Sequence, residues 1–305
     1  MQHASERQED QQRRREIFAR VRRIEIATRK TVNDVMAGAY HSVFKGQGME
    51  FDTVRRYEPG DDIRSIDWNV SARMNETYIK VFHEERELTI MLLVDLSASQ
   101  GFGTRARAKA ELAAELAALL AFAAIKNNDK VGVLLFTDRV EQFIRPDRGR
   151  KHVLRVISEI LSFEPEGRGT DIARALQFLS GLKVRRSVAF LLSDFQAQGY
   201  ERDLRLAARK HDMVAFCLED PLEKRLPPMG LVRMTDPEAG VDRVVDLSDR
   251  RVRAHLENLH RAEREERDRL LKLLHIDSLA VSTDVEDKPY TLPLVQFFKR
   301  RAERR

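Results

Sequence analysis

From residue 88 onward the apolar residues gather in short unbroken runs: LTIMLLVDL, VGVLLF, SVAFLLSDF and MVAFCLE. Runs of this length, bounded by polar and turn-forming residues, suit strands buried on both faces. Between them the apolar positions recur at helical spacing, over residues 105–126, 150–163, 171–179 and 202–210. Strand and helix in alternation predict an α/β domain whose doubly wound, mostly parallel sheet is covered by helices on both faces. A charged helix over 249–275, a strand at IDSLAVS and a closing helix over 292–301 continue the series. Residues 220–249 are richer in Pro, Gly and Asp, and their runs LVRMT and RVVDL predict a hairpin inserted near the sheet.

The pattern upstream is different. Residues 5–40 place Ile17, Val21, Ile24 and Thr28 at helical spacing among many Arg and Glu, with no proline between them, which predicts one long helix. Residues 41–87 mix β-favouring runs with a Pro59-Gly60 turn and hold the single tryptophan, Trp68. The predicted organisation is therefore an N-terminal helical arm (1–40), a small β-containing subdomain (41–87) and an α/β domain (88–305).

Composition narrows the function classes. Hydrophobic residues make up 42% of the 305 residues and charged ones 34%, enough for a large core beneath a charged surface. The 54 Lys and Arg against 49 Asp and Glu give +5, a nearly balanced chain that does not demand nucleic acid. No run approaches the roughly 18 apolar residues of a membrane span, and the opening MQHASERQEDQQRRRE lacks the apolar centre of a signal peptide. The expectation is a cytoplasmic protein without a membrane span, and the lone Cys217, in an apolar run, reads as a buried structural thiol.

The first of the buried strands ends in Asp95-Leu96-Ser97-Ala98-Ser99, so one carboxylate and two hydroxyls leave the strand together. Ligands of open α/β sheets sit at that carboxyl edge. Thr170, in GRGTD, and Asp194, at the end of SVAFLLSD, reach the same edge. These hard oxygens suit Mg²⁺, with Mn²⁺ or Ca²⁺ as alternatives. Hydroxyls hold an ion without cancelling its charge, so it still attracts a carboxylate from outside. The simpler reading is that Asp95, Ser97 and Ser99 only turn the chain and cap the next helix.

These five residues resemble the metal-ion-dependent adhesion site of von Willebrand factor type A domains, Asp-x-Ser-x-Ser with a distant Thr and a distant Asp. The resemblance implies that Ser97, Ser99 and Thr170 touch the metal, and that Asp95 and Asp194 act directly or through water. Phe195-Gln196 departs from it, because many members have a glycine after the last aspartate. A second resemblance covers nearly the whole chain. YEPGDDIRSIDWNVSAR, with Tyr57, Gly60, Asp61, Asp62, Arg64, Asp67, Trp68, Ala72 and Arg73, is similar to the bacterial family called domain of unknown function 58. That resemblance implies a partnership with a MoxR-type AAA+ ATPase, hence a chaperone-like adaptor role with a client protein supplying the carboxylate. Read from the residues alone, the same block suits either an interface hot spot or an ion-pair network.

Catalysis is not expected. His152, His211, His255, His260 and His275 are scattered without a triad-like signature, and GRGT lacks the ending of a phosphate-binding loop. An aspartyl-nucleophile phosphatase would carry a second aspartate where Ser97 stands. The rival function is nucleic-acid binding through basic ends, Arg13–Arg15, Arg20, Arg22 and Arg23 with Lys299, Arg300 and Arg301, but interleaved acids and the lack of a stacking platform disfavour it.

Overall fold

The computed structural model describes residues 19, 21, 22, 50–83, 88–101, 108–184, 186–236, 240–284 and 291–304. The arm expected over 5–40 lies outside the described residues except for Ala19, Val21 and Arg22, which are helical. The chain divides into two compact units, the smaller within residues 44–88.

In the smaller unit β1 (Glu50–Arg56) pairs antiparallel with β2 (Tyr78–His83). Between them lie a 3-10 turn (Ile63–Ser65) and the helix α1 (Trp68–Met74). The acids of the signature block shape this connection. Asp62 accepts from the Arg64 N–H at 3.0 Å, and Asp67 caps α1 by accepting from Asn69 and Val70 at 3.0 and 3.1 Å. Asp61 takes both arms of the Arg55 guanidinium at 2.9 and 2.6 Å, across a turn that Gly60 enters at φ +113°. Such caps satisfy backbone donors that the short helices cannot satisfy themselves.

The larger unit is mixed α/β around a six-stranded sheet in the order β10-β7-β6-β3-β4-β5. Its strands are β3 (Thr89–Asp95), β4 (Lys130–Phe136), β5 (Val140–Asp147), β6 (Val188–Ser193), β7 (Asp212–Glu219) and β10 (Asp277–Ser282). All pairs are parallel except β4 with β5. Ile90 to Val94 of β3 are fully buried, and each such side chain contributes about 1.5–3 kcal/mol relative to exposure. The helices α2 (Lys109–Lys126), α3 (Arg150–Ser162), α4 (Ile172–Gly181) and α5 (Glu201–Lys210) fill the crossovers. After β7 come the single turn α6 (Pro221–Lys224), the hairpin β8 (Leu231–Asp236) and β9 (Val241–Asp246), and the long α7 (Arg250–Leu273). The helix α8 (Thr291–Glu303) closes the described chain.

One face of the sheet packs Met91, Leu93, Leu134 and Leu191 against α4, α5 and the end of α7. On the other, Phe190 and Phe216 meet Phe298 and Phe297 of α8 edge-on, with centroids 6.5 and 6.1 Å apart. The expected strands and covering helices are present, as is the hairpin within 220–249. The sequence reading lacked β5. Its run VEQFIRPD keeps one apolar side chain, Ile144, fully in the core and carries Pro146, a pattern that only an edge strand tolerates. Among the described residues no helix is long and apolar enough to cross a membrane.

At the opposite edge from the strand ends discussed below, His211 follows α5 fully buried, its Nδ1 2.8 Å from the Ser187 hydroxyl. Burial, with the Lys210 and Arg186 charges, pushes its pKa down to about 4, so the folded state holds it neutral. The unfolded chain protonates it near 6.5, so its contribution to stability is present above that value and is lost as pH falls toward about 4. Denaturant titrations from pH 7 to pH 4 are expected to give a shallower pH dependence for His211→Asn than for the wild type. Parallel curves would mean that His211 is not held neutral.

Candidate functional site

The strand order reverses at β3. Its first crossover leads to β4 on one side, and the chain later returns to β6 on the other. The carboxyl ends of β3 and β6 therefore flank the crevice where open α/β sheets take ligands. Val94 pairs with Leu192, so the residues just beyond, Asp95 on one strand and Ser193-Asp194 on the other, emerge side by side.

Asp95 is fully buried and is held from three sides. Its Oδ1 accepts from the Ser97 N–H at 2.9 Å, and its Oδ2 accepts from the Ser193 hydroxyl at 2.6 Å and from Gln100 Nε2 at 3.5 Å. Burial and then the Asp194 charge raise its pKa to about 7, with Ser193 and Ser97 only partly opposing the rise. The hydroxyls of Ser97 and Ser99, both buried, lie 3.0 Å apart. The amide oxygen of Gln100, also buried here, has no hydrogen-bond partner among the described residues.

Asp194 is buried as well, with Oδ1 taking the Gln196 N–H at 3.2 Å and Oδ2 taking the Lys109 ammonium at 2.9 Å. Lys109 also bonds Glu223 of α6. Thr170 is half-buried in the loop before α4. That loop is fastened twice: the Ala98 N–H donates to the Arg168 carbonyl, and the Asp171 N–H to that of Thr137, both at 2.9 Å. Asp95, Ser97, Ser99 and Asp194 are thus brought together, and the Thr170 loop is bonded directly to the turn that carries the serines.

The donor set fits a small hard cation. Two oxygens bound to adjacent octahedral positions of Mg²⁺ at about 2.1 Å lie about 3 Å apart, which matches the spacing of the two hydroxyls. A positive ion would also oppose the burial and the Asp194 charge that lift Asp95. No cluster of three or more His, Cys, Asp or Glu side chains suited to a metal occurs among the described residues; the set here has two carboxylates and relies on hydroxyls for the rest.

Sequence reasoning missed Lys109, Ser193, Gln100, Gln196 and Glu223. For Lys109 a signal existed: it continues the buried stripe of Leu112, Ala113 and Leu116 on α2, a position where a lysine needs a buried partner. Glu223 had no comparable signal, because a capping glutamate on a short helix is ordinary.

The profile of the family described as "Protein of unknown function DUF58" matches residues 53–266, a span that holds both the signature block and the five candidate residues. The chain belongs to the DUF58 family. Its relatives include the uncharacterized protein Mb1516 of Mycobacterium bovis and the uncharacterized protein Rv1480 of Mycobacterium tuberculosis. Each is 32% identical over 230 residues, covering 74% of this chain and 73% of its own length. Among solved structures, the conserved hypothetical protein BatB of Bacteroides thetaiotaomicron is similar over 71% of this chain and 99% of its own, with TM-score 0.45 and 15% identity.

In this DUF58 chain the residue after the last aspartate adopts the conformation that glycine favours. Phe195 has φ +61°, a left-handed backbone that costs a side-chain-bearing residue roughly 1–2 kcal/mol. Its ring, 6% exposed and 6.0 Å from that of Tyr200, and its N–H, bonded to Ser193 Oγ at 3.0 Å, offset the cost.

Gly167 is required by close approach. A Cβ there would lie 2.2 Å from Thr137 Oγ1 and 2.3 Å from Asp138 Oδ1, while the Gly167 N–H already donates to Glu141 at 2.8 Å. Gly167→Ala must shift either the Thr137 and Asp138 side chains or the loop that bears Thr170, at an expected cost of about 1–3 kcal/mol in thermal or chemical denaturation. An unchanged midpoint would show that the loop yields freely.

Proposed function

We propose that this DUF58 protein is a non-catalytic, divalent-metal-dependent protein-binding module with a von Willebrand factor type A-like domain. Ser97, Ser99 and Thr170 hold Mg²⁺, with Asp95 and Asp194 supporting it directly or through water. The open side of the ion takes a carboxylate from a client protein, and a MoxR-type AAA+ ATPase is the partner that works on the assembly. The ATPase assignment rests on the family resemblance alone.

The observation that carries the reading is a buried Asp95 whose pKa is lifted to about 7 beside a second carboxylate and a pair of hydroxyls 3.0 Å apart. A fold gains nothing by holding such a carboxylate at neutral pH, so a bound cation is the simplest reason for it. Binding is favoured over acyl transfer because the Ser187–His211 pair is buried at the far edge, and its imidazole is a weak base with pKa about 4.

The sign of the linkage gives the test. Asp95 has a folded pKa of about 7 against an ordinary 3.8, so in the metal-free protein its contribution is full below about 4 and lost as pH rises through about 7. Asp95→Asn removes that cost. In chelator at pH 8 the variant should be more stable than the wild type by about 1–4 kcal/mol, the upper figure following from about 1.4 kcal/mol per pKa unit. Isothermal titration should show Mg²⁺ binding to the wild type, weakening below pH 7 as protons compete, and none to the variant. A variant that is less stable in chelator, or that still binds Mg²⁺ like the wild type, would refute the assignment.

A further inference from the structure

Lys109 is a fully buried lysine of the larger unit. Its side chain is 1% exposed, and it stands at the first position of α2, where the helix dipole is positive and repels a cation. An apolar residue would suit the stripe better, since buried ion pairs generally give no net gain over well-packed hydrophobic side chains. Burial pulls the ammonium toward neutrality, but Asp194 and Glu223 together outweigh it and keep the group charged.

The clamp is rigid. Glu223 Oε1, which meets the ammonium, also accepts from Gln196 Nε2 at 3.2 Å, while its Oε2 accepts from the Asp220 N–H at 2.9 Å in a capping box. The ammonium is therefore locked one hydrogen bond from Asp194, whose other oxygen is already held by the Gln196 N–H.

We propose, resting on the metal reading above, that Lys109 is the internal countercharge that sets how tightly this centre holds its divalent cation. Engaging Asp194 with an ammonium weakens the carboxylate's hold on the ion. The ion's own charge then stays less neutralised and more attractive to a partner's carboxylate. Metal and partner carboxylate should accordingly favour each other's binding, because each completes what the other lacks.

The test is isothermal titration of Mg²⁺ into four full-length proteins: wild type, Lys109→Met, Glu223→Gln and Lys109→Met/Glu223→Gln, each first checked for folding by circular dichroism and thermal denaturation in chelator. Lys109→Met should bind Mg²⁺ at least tenfold more tightly than the wild type. If the single variant does not fold because it strands the buried Asp194 and the half-buried Glu223, the double variant against Glu223→Gln makes the same comparison with one of them neutral, and the same direction is expected. Equal or weaker binding on removal of the ammonium would overturn the proposal, assigning Lys109 to positioning Asp194 while leaving the metal reading intact. No binding by any folded variant would overturn both, whereas binding that appears only after Lys109 is removed would support the role of Lys109 and overturn the expectation that the wild type itself holds Mg²⁺.

Discussion

Negative charge confined at the carboxyl edge of a buried parallel sheet is the constraint around which the larger unit is arranged. Register alone creates it: β3 and β6 pair in parallel with Val94 opposite Leu192, so Asp95 and Asp194 must emerge next to one another. Both are within the interior, where water cannot screen them. The surrounding groups are mostly donors turned toward that charge, namely the Ser97 and Gln196 N–H groups, the Ser193 hydroxyl and the Lys109 ammonium. They do not offset burial and the Asp194 charge, which still raise Asp95 to about 7. The deficit is of the kind that a small cation removes, and it links the fold to the function proposed for it.

Neighbouring loops bear the cost of this arrangement. Phe195 takes a left-handed backbone so that Asp194 can face the crevice while the chain turns away, and its buried ring holds the turn in place. Gly167 passes so close to the Thr137 and Asp138 side chains that a Cβ fits only if they move. Local strain of this sort persists where packing over-determines the backbone. Here the packing is supplied by the face of the sheet that carries Phe195, Tyr200 and α4 in one cluster.

Much of the fold was legible because parallel strands buried on both faces have an unmistakable composition. LTIMLLV, VGVLLF, SVAFLLS and MVAFCLE have no polar face to confuse with a helix. The strand β5 was not legible, since an antiparallel edge strand with a half-exposed face and a proline resembles a loop. The oxygen donors of the site could be picked out because they follow strand ends, where topology decides what meets. Lys109 and Glu223 lie 114 residues apart in sequence, and only the folded chain brings them together. Charge balance is a property of the folded neighbourhood, so the residue that counters Asp194 could not be read from the motif that contains Asp194.

The signature block of the smaller unit divides by chemistry in a way that spacing alone left open. Its acids are turned to local work: Asp61 on Arg55, Asp62 on the Arg64 N–H and Asp67 on the cap of α1. A capping aspartate typically contributes about 1 kcal/mol to its helix, which matters for a helix of seven residues that has little else to hold it. The apolar residues of the same block divide: Tyr57, Ile66 and Val70 are half-buried, whereas Trp68 is 69% and Ile63 66% exposed. The acidic density of the motif thus follows from local structure: each aspartate holds a turn or a cap that the short elements cannot hold themselves.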